Sequence, residues 1–160
     1  MADKDEAKEV KVDASGKKDG SEEFEPTMIG FFCNWCTATA ADLAGTTRLQ
    51  YPANIHPIRV MCSGTVDPVY VLRAWLSGAD GVIVGGCPPG DCHYISGNLK
   101  ARRRMHVLKT ILKTLGLEDD RIWVRWISAA EGIKFAETMR EFTRAIKDKG
   151  PSPVKDHWSI

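Results

Sequence analysis

The chain has 160 residues, 43% of them hydrophobic and 27% charged, with a formal net charge of +1. That length suits one domain of roughly 100–200 residues, large enough to bury a core without disulfide staples. No apolar run approaches the ~20 residues of a membrane-spanning helix, the start Met1-Ala2-Asp3-Lys4-Asp5-Glu6 does not read as a secretory signal, and the balanced charge argues against nucleic-acid binding. A cytoplasmic protein without membrane insertion is therefore expected, and its five cysteines point to metal or redox chemistry.

Charge is unevenly spread. Residues 1–26 carry nine acids and five lysines, a net of −4, which leaves +5 on the rest. With only Val10, Val12 and Phe24 as sizeable apolar residues, that stretch is expected to be a disordered acidic tail. The folded domain is expected over residues 27–150. Residues 151–160 read as a short extended tail whose Trp158 and Ile160 suit docking on a partner or local packing.

Between the tails, strand and helix patterns alternate. Met28 to Phe32 is an apolar run of strand length. Thr37 to Leu49 is alanine-rich and reads as a helix, with Thr39 and Asp42 in capping-box spacing. Tyr51 to Pro57 holds two prolines and reads as a loop, and Ile58 to Met61 as the second strand. Asp67-Pro68 supplies an N-cap followed by proline at the first helical position, and Gly78 closes that helix. Val82 to Val84 is a third strand, apolar enough to be buried on both faces. Met105, Leu108, Ile111, Leu112 and Leu115 form one stripe of a longer helix that ends at Gly116. Ile122 to Ile127 is the fourth strand. Phe135, Met139, Phe142 and Ile146 mark the buried side of the last helix, with Lys134, Glu137, Glu141 and Arg144 opposite. Four such alternations predict an α/β fold: a four-stranded parallel sheet with helices on both faces, in the manner of Rossmann and flavodoxin-like domains.

On that topology every cysteine falls just beyond a strand. Cys33 and Cys36 follow the first, Cys62 ends the second, and Cys87 and Cys92 lie after the third. The carboxyl edge of an open parallel sheet is where such folds place ligands, and Gly64, Gly85, Gly86, Gly90 and Gly97 occupy the same loops. A lone C-x-x-C or a single Cys62 can be mere packing. Five thiols at one edge, with Cys87-Pro88-Pro89-Gly90-Asp91-Cys92 holding two of them in a stiff loop, argue for a thiolate-bound metal. Residue chemistry alone leaves zinc and an iron–sulfur cluster both open, since Trp35, Pro88, Pro89 and Tyr94 could shield either.

Four blocks then carry a resemblance. Phe31-Phe32-Cys33-Asn34-Trp35-Cys36, Arg59-Val60-Met61-Cys62-Ser63-Gly64, Gly78-Ala79-Asp80-Gly81-Val82-Ile83-Val84-Gly85-Gly86-Cys87, and Gly90-Asp91-Cys92-His93-Tyr94 with Gly97-Asn98 resemble the delta subunit of methyl-viologen-reducing hydrogenase. The resemblance spans residues 27–150. It implies a [2Fe–2S] protein that passes electrons from a [NiFe]-hydrogenase, or a formate dehydrogenase, to the flavin-bearing subunit of heterodisulfide reductase, in an electron-bifurcating complex of methanogenesis. It places the family's cysteines on Cys33, Cys36, Cys62, Cys87 and Cys92, four of which would bind the cluster. The expected arrangement takes two cysteines from opposite loops per iron, with Cys87 and Cys92 among them.

Three further expectations concern the surroundings. His93 either hydrogen-bonds toward a sulfur or carbonyl near the cluster, beside Trp35 and Tyr94, or caps the next helix. Arg102, Arg103 and Arg104, at the start of the third helix, are either a solvated surface or a docking site for an acidic partner. Two rival functions stay open. One is a thiol–disulfide redox protein using Cys33 and Cys36 after a strand; the other is a zinc-stabilised interaction module. A nucleotide-binding flavodoxin-like role lacks its phosphate loop, because cysteines stand after the first strand. No set of residues for catalysis by this chain alone is evident.

Overall fold

In the computed structural model, which describes residues 24–154, four parallel strands form one sheet in the order β2-β1-β3-β4. The strands are β1 (Met28–Cys33), β2 (Ile55–Val60), β3 (Gly81–Gly86) and β4 (Ile122–Trp126). The helices that alternate with them are α1 (Thr37–Thr46), α2 (Pro68–Leu76), α3 (Gly97–Thr114) and α4 (Gly132–Lys149). The predicted α/β class and parallel sheet are what the chain adopts. The chain runs from β1 outward to β2, then returns across β1 to β3. This reversal puts a topological switch point between β1 and β3, where crevices open at the carboxyl ends of strands.

Hydrophobic pattern explains the layers. β3 is buried along its whole length, as its Val82-Ile83-Val84 run predicts for a strand covered on both faces. On one face Val71 and Trp75 of α2 pack with Met105, Leu108 and Leu112 of α3 against Phe31, Val82 and Val84. On the other, Ala38, Ala40 and Ala44 of α1 pack with Phe135, Met139, Phe142 and Ile146 of α4 against Met28, Phe32 and Ile83. Alternate residues of β1 and β3 thus feed opposite layers.

Helix α2 begins and ends as its sequence predicts. The Asp67 carboxylate accepts from the Val69 N–H at 2.9 Å, Pro68 takes the first helical position, and Gly78 follows with φ +102°.

Three local expectations need correction. The second strand is Ile55–Val60 rather than Ile58–Met61, so it includes part of the predicted loop and Pro57. β2 is an edge strand bonded on one side only, which is where a sheet tolerates a residue without an N–H. The Thr39/Asp42 capping box does not form. Helix α1 begins two residues before Thr39, whose hydroxyl instead donates to the Asn34 carbonyl at 3.0 Å, while Asp42 pairs with Arg59 at 2.8 Å. Helix α3 begins at Gly97, so Arg102–Arg104 sit in its second turn and His93 lies in the loop before it.

At the amino-terminal edge of the sheet, polar groups close the fold. Asp80, fully buried, accepts from the Thr27 N–H at 2.9 Å and from the Ser152 N–H at 3.0 Å. Arg121, 1% exposed, donates to the carbonyls of Asp80, Gly150 and Pro151 at 3.1, 2.9 and 3.1 Å, and also bonds Glu118. The Ser152 hydroxyl accepts from the Trp75 indole at 2.8 Å, and Val154 joins the core. Residues 151–154 are therefore tied to the domain. Of the expected acidic tail over residues 1–26, residues 1–23 lie outside the described residues, as does the segment with Trp158 and Ile160, while Glu25 bonds Lys147 and Asn54.

Truncating Arg121 strips a guanidinium from three carbonyls, so Arg121→Ala should destabilise the domain by about 1–3 kcal/mol for each buried carbonyl left unpaired. A urea denaturation curve shows it as a lowered midpoint at unchanged slope.

Candidate metal centre

Each cysteine is positioned by a chain reversal. Cys33 is the last residue of β1 and Cys36 precedes the first turn of α1. Cys62 follows β2 and caps a short 3-10 turn, Ser63–Thr65, its sulfur accepting from the Gly64 N–H at 3.4 Å. Cys87 directly follows β3, and Cys92 lies in the loop that leads into α3. All five are buried and contact one another as one cluster. The predicted convergence at the carboxyl edge is thus present, with sulfurs drawn from three loops that are far apart in sequence.

The sulfurs fall into two groups. Those of Cys33, Cys36 and Cys87 all lie within 4.8 Å of one another, with Cys33 and Cys87 at 3.8 Å. Cys62 and Cys92 flank Gly97 instead. A Cβ on Gly97 would stand 2.2 Å from the Cys62 sulfur and 3.3 Å from the Cys92 sulfur. Gly64 is equally constrained, since its Cβ would meet the Gly97 Cα at 2.7 Å. On the other side a Cβ at Gly85 would lie 2.4 Å from the Thr37 side chain. Only glycine permits these approaches.

Backbone N–H groups surround the sulfurs. The Cys33 thiol is held down to about 5, chiefly by a hydrogen bond from the Cys36 thiol and, against the opposing effect of burial, by the Trp35 N–H. Cys36 is correspondingly pushed up, first by its role as donor to Cys33 and then by burial. Burial pushes up Cys62 and Cys87. It also acts to raise Cys92, but the N–H groups of Asn98, Tyr94 and Gly97 more than offset it and leave that thiol below its ordinary value. Thiolate, the metal-ligating form, is thus favoured at Cys33, chiefly by the Cys36 thiol, and at Cys92 by N–H groups near the start of α3.

The loop carrying Cys87 and Cys92 is fixed by Asn98. Its buried amide donates to the Cys87 carbonyl at 3.0 Å and to the Pro88 carbonyl at 2.7 Å. The sequence motif contains Asn98 but assigns it no role. No local signal marks it, because the carbonyls it serves lie 11 and 10 residues earlier in the chain.

Trp35, His93 and Tyr94 do come together. The Trp35 and His93 rings stack at 3.8 Å and 13°, Tyr94 meets His93 edge-on, and the Trp35 indole donates to the Tyr94 hydroxyl at 3.3 Å. This stack joins the first cysteine loop to the third. The His93 imidazole is engaged with Trp35, while its backbone N–H faces the Cys87 sulfur. Arg102, Arg103 and Arg104 are exposed, and Arg104 reaches the Gly64 carbonyl at 2.7 Å. Arg103 and Arg104 also border an apolar groove of about 560 Å³ between α2 and α3.

Comparison with known proteins fits this geometry. Residues 28–150 match the family described as methyl-viologen-reducing hydrogenase, delta subunit. The chain belongs to that family. It is 50% identical to the iron-sulfur subunit of the F420-non-reducing hydrogenase vhc of Methanococcus voltae, over 86% of this chain and 95% of that protein. It is 52% identical to the F420-non-reducing hydrogenase iron-sulfur subunit of Archaeoglobus profundus, over 82% of this chain and 96% of the relative. A third relative is organised differently. One component of the ferredoxin/F(420)H(2)-dependent CoB-CoM heterodisulfide reductase of Methanosarcina acetivorans is 48% identical over 79% of this chain, but the match covers only 16% of that protein. There a domain like this one is part of a much longer chain.

The residues present fit an iron–sulfur group. Buried sulfurs from three loops converge, N–H donors face them, and one buried hydroxyl beside them, that of Ser63, has no partner. Thiol–disulfide exchange fits less well, because the attacking thiol of such a protein must be accessible, and Cys33 and Cys36 are 1% and 4% exposed. Among the described residues, no helix is long and apolar enough to cross a membrane.

The Gly97 contact gives a direct test. Gly97→Ala should fold, as judged by circular dichroism, but hold much less metal by elemental analysis than the unsubstituted chain. Gly45→Ala, where a Cβ meets nothing within 4 Å, should keep it.

Proposed function

We propose that four of Cys33, Cys36, Cys62, Cys87 and Cys92 hold one [2Fe–2S] cluster, and that the chain relays electrons within a larger oxidoreductase. The observation that carries this reading is the convergence of five buried sulfurs at the sheet's switch point. The grouping of the sulfurs supports Cys62 and Cys92 on one iron and two of Cys33, Cys36 and Cys87 on the other. When bound, the cluster supplies a one-electron couple. The chain's own residues hold it, keep water away through the Trp35–His93–Tyr94 stack, and stabilise its negative charge with backbone N–H groups.

The names of the relatives support a place between a hydrogenase and heterodisulfide reductase. Electrons would enter from a [NiFe]-hydrogenase, or from a formate dehydrogenase, and leave to the flavin-bearing subunit of heterodisulfide reductase. Such a complex bifurcates electrons in the cytoplasm of a methanogen. A relative in which a similar domain is joined covalently to a heterodisulfide reductase chain favours that reductase as a neighbour.

A relay needs its centre near a surface that a partner covers. At the cysteine edge Trp35, Met61, Tyr94, Ile95 and Leu99 are exposed. Ile95 is 88% exposed and has φ +69°, an unfavourable conformation for a β-branched residue. The redox partner is proposed to cover this apolar patch, with Arg102, Arg103 and Arg104 on its charged rim.

Anaerobically purified protein should hold about two irons and two sulfides per chain, absorb in the visible, and show a paramagnetic signal on reduction. One zinc and no sulfide would overturn the cluster. Of the five single Cys→Ser variants, four should lose the visible absorption and one should keep it.

Replacing Arg102, Arg103 and Arg104 with glutamate should slow association with the partner and weaken its salt dependence, while leaving the visible spectrum intact. Stopped-flow association rates at two ionic strengths would measure this. A charge-reversed protein that associates and passes electrons normally would move the interface elsewhere.

A further inference from the structure

Ser63 stands directly after Cys62 in the 3-10 turn, and its side chain is 1% exposed. Its hydroxyl oxygen is the only buried side-chain nitrogen or oxygen among the described residues without a hydrogen-bond partner. Neighbouring hydroxyls are already committed. Thr65 donates to the Cys62 carbonyl at 2.7 Å, and Thr37 lies 3.7 Å from the Cys36 sulfur. A buried hydroxyl left unpaired costs free energy, so such an orphan calls for an explanation.

The location of Ser63 supplies one. Its backbone N–H faces the Cys33 sulfur. Its oxygen occupies space left open by Gly86, the residue before Cys87, where a Cβ would come within 2.7 Å. The hydroxyl therefore sits among the backbone segments that carry Cys33, Cys62 and Cys87. Sulfur is the only acceptor chemistry that the cluster reading adds to this region.

We propose that the Ser63 hydroxyl donates a hydrogen bond to a sulfur of the cluster, either a cysteine thiolate or a bridging sulfide, and so raises its reduction potential. This rests on the cluster reading above. Reduction adds negative charge to the sulfurs, and a donor aimed at them stabilises the reduced form more than the oxidised one. Ser63 is thus a tuning residue that acts through the ligands and needs no contact with a partner.

The test compares the full-length wild-type chain with Ser63→Ala, Ser63→Thr and Ser63→Val, prepared without oxygen. Iron and sulfide are counted, and the midpoint potential is read from a redox titration followed by paramagnetic resonance. Ser63→Ala should keep the wild-type iron and sulfide count and show a more negative midpoint. Ser63→Thr, which retains the hydroxyl, should stay near wild type, whereas Ser63→Val, matched to threonine in shape, should follow Ser63→Ala. Loss of the cluster in the alanine and valine variants but not in threonine would also show that the hydroxyl is required. Equal potentials in threonine and valine, an unshifted alanine variant with a full cluster, or loss of the cluster in all three would overturn the proposal. A wild-type chain without iron and sulfide would instead sink the cluster reading itself.

Discussion

The close approach of the β2–α2 loop to the start of α3 is the contact on which the sulfur arrangement depends. Gly64 and Gly97 meet there with no room for a Cβ on either, and Gly97 also lies against the Cys62 and Cys92 sulfurs. Across the switch point, Gly85 lets Thr37, and with it the first turn of α1, come down onto β3. These approaches bring three loops together that the chain would otherwise keep apart. A methyl group at Gly64 would push backbone from backbone, which cannot be relieved by a change of rotamer, and one at Gly97 would displace the Cys62 sulfur itself. The cysteines supply the ligating chemistry, but the glycines set where the sulfurs can be.

The two edges of the sheet are specialised. At the amino-terminal edge, the Asp80 carboxylate and the Arg121 guanidinium bind the segment before β1, the start of β3 and the segment after α4. Buried charged groups that hydrogen-bond backbone in this way are costly to leave unpaired, so this edge holds the ends of the fold in register. At the carboxyl edge, loops carry the sulfurs, an aromatic stack and exposed apolar residues. Scaffold and site therefore make their strongest polar interactions at opposite ends of the same strands, and a loop at the site can be tuned without loosening the closure of the domain.

Much of this was legible in the sequence. The Val82-Ile83-Val84 run, the Asp67-Pro68 start and the Phe135-to-Ile146 stripe each have a local cause, and each lies where it was expected. The cysteines were legible because strand ends are. Pro57 misled the reading of β2, since whether a proline-bearing segment can be a strand depends on its being at the sheet's edge, which is a property of strand order. Thr39 and Asp42 had the right spacing for a cap but sat inside the helix, because the preceding C-x-x-C turn starts α1 earlier. Asn98 and Ser63 were not legible as site residues. Asn98 serves carbonyls contributed by another loop, the role proposed for Ser63 turns on groups from other loops, and nothing in their own neighbourhood announces those partners.

The site also separates two tasks that are often given to the same cations. Negative charge on the sulfurs is met by backbone N–H groups from Trp35, Ser63, Gly64, His93, Tyr94, Gly97 and Asn98, and among the described residues no lysine or arginine side chain is buried beside them. Arg102, Arg103 and Arg104 stay on the surface one turn beyond the start of α3. Fixed backbone dipoles need no reorganisation when the charge on the centre changes, whereas mobile side-chain cations would respond to each electron. In the proposed complex, a partner seated over Trp35, Tyr94 and Ile95 removes water from this edge and lowers the local dielectric, which strengthens every N–H interaction with sulfur. The same loss of water withdraws solvation from the added charge of a reduced centre, so in that complex the buried N–H groups would be the donors left to offset the loss, while the proposed docking arginines would act on association alone.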